Sequence, residues 1–87
     1  MNVWYHAPAA LWRRCSQAVL ILPPDHDEVL LLDGMGAAIW EVLERPSSVA
    51  GIVATLTESR GVGPDAIEEQ VTRFLEELLE FRAVARR

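Results

Sequence analysis

The chain has 87 residues, of which 51% are hydrophobic and 24% charged, with 8 basic and 13 acidic side chains. This length allows one domain. The composition excludes a disordered chain, which would combine low hydrophobicity with high net charge. The formal net charge of −5 argues against nucleic acid as the main partner, because a phosphate-binding surface needs clustered cations.

Residues able to do chemistry are few and scattered. Cys15 is the only cysteine, which excludes an internal disulfide and a multi-cysteine zinc site. His6 and His26 lie far apart and lack the spacing of metal ligands. The sequence therefore predicts a protein that is not an enzyme and needs no metal or other cofactor. The lone cysteine favours a reducing, cytoplasmic setting, and we expect neither a signal peptide nor a membrane span.

The first part of the chain contains short aliphatic runs bounded by turn residues. Ala18–Leu22 and residues 29–32 predict two strands of an antiparallel hairpin, joined by the Pro- and Asp-rich turn at 23–27. Leu11–Cys15 predicts a third strand with weaker alternation. We assign no element to the Trp4-Tyr5-His6 segment and expect residues 1–10 to be loosely ordered.

The chain acquires a helical period after Asp33, which is a candidate helix N-cap. A first helix ends before Pro46, a second begins at Ser47 or Ser48 and ends at the glycines 61 and 63, and a third begins with Pro64. The buried stripe of the third helix is predicted to contain Ile67, Val71, Phe74, Leu75 and Leu78. Two or three strands followed by three helices predict one α+β domain over 1–87, of winged helix-turn-helix type.

One edge of this small sheet is unusually apolar. Residues 29–32 contain no charge that would discourage pairing with another extended chain. Phe74 and Phe81 lie close together on the third helix and widen its apolar band. These features predict a groove between the strand edge and the third helix that accepts a peptide by strand addition. Alternatively, both features pack internally or form a homodimer.

Three segments together resemble the PqqD-like family, also called RiPP recognition elements. They are VLLLDGMGAAIWEVL at 29–43, VAGIVATL at 49–56 and GPDAIEEQVTRFLEEL at 63–78. Their order and spacing carry the resemblance, which extends over residues 18–84. Family members are small winged-helix-like domains without catalytic activity. They bind the leader segment of a ribosomally made precursor peptide and present it to a radical SAM enzyme, a cyclase or a leader peptidase.

The resemblance implies that the leader adds as a strand to the third sheet strand and lies against the third helix. Carried onto this chain, the peptide-binding residues are Val29, Leu30, Leu31, Leu32, Val71, Phe74, Leu75 and Leu78. Where many relatives end the third helix with Gly-Leu, this chain has Arg82-Ala83. Arg enters the left-handed conformation less easily than Gly, so we expect the helix to run longer or to end differently.

Two other functions are compatible with the predicted topology. A DNA-binding winged helix would need a cationic recognition helix, whereas the candidate helices carry few arginines among many carboxylates. A structural subunit would dimerise through the exposed strand.

Overall fold

The computed structural model describes residues 2–61 and 63–87; Val62, in the predicted connection between the second and third helices, lies outside the described residues. In chain order the elements are β1 (Trp4–His6), β2 (Leu11–Cys15), β3 (Ala18–Leu22), β4 (Leu30–Leu32), α1 (Gly34–Val42), α2 (Val49–Arg60), α3 (Pro64–Glu80) and β5 (Val84–Arg86). The predicted α+β order of strands followed by helices is confirmed. The likeness to a winged helix stays a prediction.

A three-stranded antiparallel sheet has the order β2-β3-β4. The tight turn between β2 and β3 places Ser16 at a φ of +60°. Leu20 of β3 pairs with Arg13 on one side and with Leu31 on the other. The predicted hairpin and the predicted third strand are therefore present, although Val29 precedes β4 instead of belonging to it.

Local capping explains where two of the helices begin. The Ser48 hydroxyl accepts a hydrogen bond from the Gly51 N–H at 3.0 Å, so Ser48 is the N-cap of α2. Asp33 occupies the N-cap of α1, but its carboxylate accepts no capping hydrogen bond. Asp33 is thus the N-cap by its extended backbone conformation alone, and its side chain is free for other contacts.

The C-terminus of α3 corrects the expectation for Arg82. Arg82 adopts the left-handed conformation, with a φ of +62°. The Arg82 N–H donates to the Leu79 carbonyl and the Ala83 N–H to the Leu78 carbonyl, both at 2.9 Å. This pair of bonds is a Schellman motif, the helix ending that usually has glycine at this position. The buried Ala83 and Leu78 hold the turn in place, so the helix ends despite the arginine.

A second, two-stranded sheet pairs β1 with β5. Trp4 is only 3% exposed, and the Arg86 guanidinium lies 5.4 Å from the centre of its ring. The Trp4 N–H also donates to the Ser47 carbonyl at 2.8 Å. The segment that we expected to pack loosely is thus tied to the C-terminus and to the start of α2. Arg86 lies beyond the end of α3 and belongs to this sheet.

The hydrophobic core lies between one face of the three-stranded sheet and the three helices. Its largest fully buried side chains include Trp40, Ile21, Ile39, Leu43, Ile52, Leu56, Ile67 and Leu75. Because the helices cover one face of the sheet, its other face and its two outer edges are left open. Within the described residues, no helix combines the length and the apolar character needed to cross a membrane.

Candidate functional site

The free edge of β4 is the first component of the candidate site. β4 pairs with β3 on one side, and no described strand pairs with its other side. Leu31 is 63% exposed and Val29 55% exposed, whereas Leu32 turns inward and is 8% exposed. An unpaired apolar strand edge offers backbone donors and acceptors to another extended chain.

A cleft lies beside this edge, between β4, the first turn of α1 and the flank of α3. We call it the β4–α3 cleft; its volume is about 300 Å³. Its lining residues are Leu31, Leu32, Asp33, Met35, Gly36, Ile39, Gln70 and Phe74. The walls are mostly apolar, and the Asp33 carboxylate and Gln70 amide are the polar side chains of the lining. Such a site can hold apolar side chains of a peptide whose backbone pairs with β4.

Phe74 forms the α3 wall of the cleft and packs closely against α1. A Cβ added at Gly36 would lie 3.2 Å from Phe74 Cζ and 3.3 Å from Phe74 Cε1. Gly36 therefore permits the close approach of α1 to the ring. Gly34, with a φ of +53°, instead serves the tight entry from β4 into α1.

The predicted helix residues divide into two groups. Phe74 is partly buried and lines the cleft. Val71, Leu75 and Leu78 are at most 3% exposed and belong to the core. In this structure they support the cleft from behind instead of presenting a surface to it. The sequence interpretation omitted Asp33, Met35, Gly36 and Gln70, because an apolar stripe reports what a helix buries and not which flank borders an opening.

Asp33 is the charged residue of the cleft lining. On the solvent side of α3, the Arg73 guanidinium pairs with the Glu69 carboxylate at 3.0 Å. Near the end of α3, Arg82 pairs with Asp25 at 3.4 Å. Asp33 forms no ion pair among the described residues. Arg73 and Arg82 are thus each paired with a carboxylate, and the Asp33 carboxylate is available to a cationic or hydrogen-bonding group.

The side chains considered for chemistry are not gathered at the cleft. Cys15 is exposed at the end of β2, on the far edge of the sheet. The His26 Nδ1–H donates to the Pro24 carbonyl at 2.9 Å, within its own turn. Among residues 2–61 and 63–87, no three His, Cys, Asp or Glu side chains are placed to hold a metal ion.

The tryptophans lie away from the cleft. Trp40 is fully buried and stacks on the His6 ring, with centroids 3.8 Å apart. Trp12 lies on β2 and contacts both rings edge-on. Neither Trp12 nor Trp40 lines the site, so intrinsic tryptophan fluorescence is a poor reporter of events at the cleft.

Comparison with known proteins identifies the family. The family model described as coenzyme PQQ synthesis protein D (PqqD) matches residues 18–84. The chain belongs to the PqqD family. The matched region runs from the start of β3 to the start of β5 and includes every residue that lines the cleft. The resemblance inferred from the three sequence segments is thereby confirmed, and no curated protein matches the chain.

A solved structure shares the fold of this PqqD-family chain. It is that of TbiB1 in complex with the TbiA(beta) leader peptide, with a TM-score of 0.83 and 21% sequence identity. The similarity covers 92% of this chain and 93% of that chain.

Proposed function

We propose that this protein binds the leader segment of a ribosomally made precursor peptide and presents it to a modifying enzyme. The observation that carries the proposal is the unpaired edge of β4 beside an apolar cleft, in a chain of the PqqD family. The similarity to a structure that contains a leader peptide supports it. The protein acts in this role as a binding module and not as a catalyst.

The leader adds to β4 as a fourth strand of the sheet. Main-chain hydrogen bonds to β4 give affinity for an extended chain largely independent of its sequence. Side chains on one face of the leader enter the β4–α3 cleft and contact Phe74 and Met35, which supply specificity. Val71, Leu75 and Leu78 act indirectly, by fixing α3 at the distance that keeps the cleft open.

The Asp33 carboxylate selects for the charge of the leader. Asp33 lines the cleft, and the formal charge of the whole chain is −5. A leader with a Lys or Arg next to its apolar anchor therefore binds better than one with an acidic residue there. The same charge disfavours duplex DNA.

The partner enzyme and the compartment are further parts of the proposal. We propose a radical SAM enzyme, a cyclase or a leader peptidase as the recipient of the bound peptide, in the cytoplasm. The single cysteine is compatible with a reducing compartment.

The test is a titration with the leader half of the precursor peptide encoded beside this protein. A fluorescent label on the peptide reports binding through anisotropy, because the tryptophans do not line the cleft. Saturable binding that disappears when the sequence is scrambled is the expected result. A duplex DNA of matched length is the control for the winged-helix alternative.

Strand addition makes a sharper prediction for N-methylated leaders. In a β-strand, alternate residues direct their N–H groups to opposite edges. Methylation of one alternate set should abolish binding, and methylation of the other set should leave it intact. Equal effects of the two sets would contradict strand addition, and salt-sensitive binding of DNA without leader binding would contradict the proposed function.

A further inference from the structure

The open face of the three-stranded sheet is strongly apolar. Ile21 is fully buried on the helix-covered face, so its neighbours Leu20 and Leu22 project from the opposite face. Directly paired residues share a face, which places Leu11, Arg13 and Leu31 there as well. We call this set the outer sheet face: Leu11, Arg13, Leu20, Leu22 and Leu31.

The exposure of this face is large for so small a domain. Leu11 is 67% exposed, Leu31 63% and Leu22 38%. Leu11 pairs with Leu22, and Leu20 pairs with Leu31, so the side chains form adjacent rows and not isolated points. Adjacent rows of exposed apolar side chains make this face a candidate interaction surface.

Arg13 distinguishes this face electrostatically. On the helix-covered face, Arg14 pairs with Glu41 and Glu44, each at 3.1 Å. Arg13 points the other way and forms no ion pair among the described residues. The outer sheet face therefore offers one uncompensated cation within an apolar patch. A complementary surface is apolar and carries a carboxylate opposite Arg13.

The size of the patch argues against a second copy as the occupant. The three strands are about 4.8 Å apart and three to five residues long, and they cover roughly 200 Å². A stable dimer needs about 800 Å² from each partner. Two copies would also bring together formal charges of −5 each. The patch is better suited to a transient complex with a larger protein.

We infer that the outer sheet face is the docking site of the modifying enzyme, an inference that rests on the proposed function. β4 contributes both the edge that receives the leader and Leu31 of the outer sheet face. Apart from Leu31, which both surfaces share, the residues that line the β4–α3 cleft lie on the helix side of the sheet. An enzyme docked over β2 and β3 therefore leaves the leader-binding edge of β4 open. An enzyme docked on the outer face is then adjacent to the leader strand and can act on the peptide that emerges from it.

The test uses charge substitutions on β2, about 10 Å from the edge that receives the leader. Leu11→Glu and Arg13→Glu disrupt the apolar row and the cation, respectively. Gln17→Glu is the matched control for Leu11→Glu, because it adds the same single negative charge at an exposed position of the same hairpin but in the turn. Affinity for the modifying enzyme encoded beside this protein is measured by biolayer interferometry, and leader affinity by anisotropy. We expect the two test variants to bind the enzyme about tenfold more weakly, with leader affinity unchanged and the control behaving as wild type.

Cys15 provides an independent readout. It pairs with Ala18, which places it at the margin of the outer sheet face, and it is the only thiol of the chain. Bound enzyme should slow alkylation of Cys15 by N-ethylmaleimide several-fold, as followed by mass spectrometry, whereas the leader alone should not.

Three results would overturn the inference while leaving the proposed function intact, provided that the leader still binds. The first is equal enzyme affinity for all variants, and the second is no enzyme binding by the wild type. The third is a concentration-dependent dimer in analytical ultracentrifugation that Leu11→Glu dissociates, which would assign the face to a second copy. Loss of leader binding by the wild type would instead contradict the proposed function itself.

Discussion

Phe74→Ala is the substitution that best tests the β4–α3 cleft. The ring forms the α3 wall of the cleft and also packs against the core. Removing a fully buried Phe costs about 3–5 kcal/mol of stability. Because Phe74 is only partly buried, we expect a loss of about 2 kcal/mol. The leader also loses an apolar wall, which we estimate at about 1.5 kcal/mol, or a roughly tenfold weaker Kd.

The two effects are separated by a matched control on the same helix. Leu79 is also partly buried against the core, but it lies on the opposite flank of α3, away from the cleft. Leu79→Ala should lower stability by about 1–2 kcal/mol and leave the leader affinity unchanged. Urea denaturation gives the free energy of unfolding, and anisotropy with a labelled leader gives the Kd. A folded Phe74→Ala variant with wild-type affinity would refute the assignment of Phe74 to the binding site.

Four further predictions concern the edge, the helix ends and pH. Leu31→Pro removes one β4 amide and should abolish leader binding, with circular dichroism as the check that the domain still folds. Arg82→Gly relieves a left-handed arginine and loses only an exposed ion pair; urea denaturation should show a gain of about 0.5–1 kcal/mol, and Arg82→Ala none. Ser48→Ala removes the α2 cap and should cost about 1 kcal/mol by the same assay. Burial lowers the pKa of His6 below its ordinary value of 6.5. As the pH falls, the unfolded chain therefore takes up the proton before the folded chain does, and the free energy of unfolding should decrease below pH 6.5. His6→Gln should flatten that part of the stability–pH profile.

The elements dominated by local signals were predicted well from the sequence. Ser48 and Pro64 marked helix starts through capping and backbone preference, and both helices begin there. The strand at Ala18–Leu22 ends before two prolines, because proline cannot continue a central strand. Such signals involve neighbours in the chain and need no knowledge of the tertiary structure.

What escaped prediction depends on contacts between distant segments. β1 and β5 have three residues each, and they pair the two ends of the chain. No periodicity in segments this short could indicate a partner about 80 positions away. Gly36 is similar, because its packing role exists only once α1 lies against Phe74. Arg82 shows the opposite case. A non-glycine residue disfavours the left-handed conformation, but the hydrogen bonds of two backbone amides and the burial of Ala83 override that local preference.

The sequence also distinguishes the two open sheet edges, and it favours β4 as the one proposed to accept a peptide. β2 carries Arg13 and Arg14 on opposite faces, and charged side chains along an edge strand oppose pairing with another chain. β4 is Leu30–Leu32 and contains no charge. The cleft adds apolar contacts beside β4. On β2, by contrast, Arg14 forms ion pairs with Glu41 of α1 and with Glu44, which follows α1. An added strand therefore gains side-chain contacts at β4 that β2 does not offer, and exchanging the two preferences would require charges in β4 and their removal from β2.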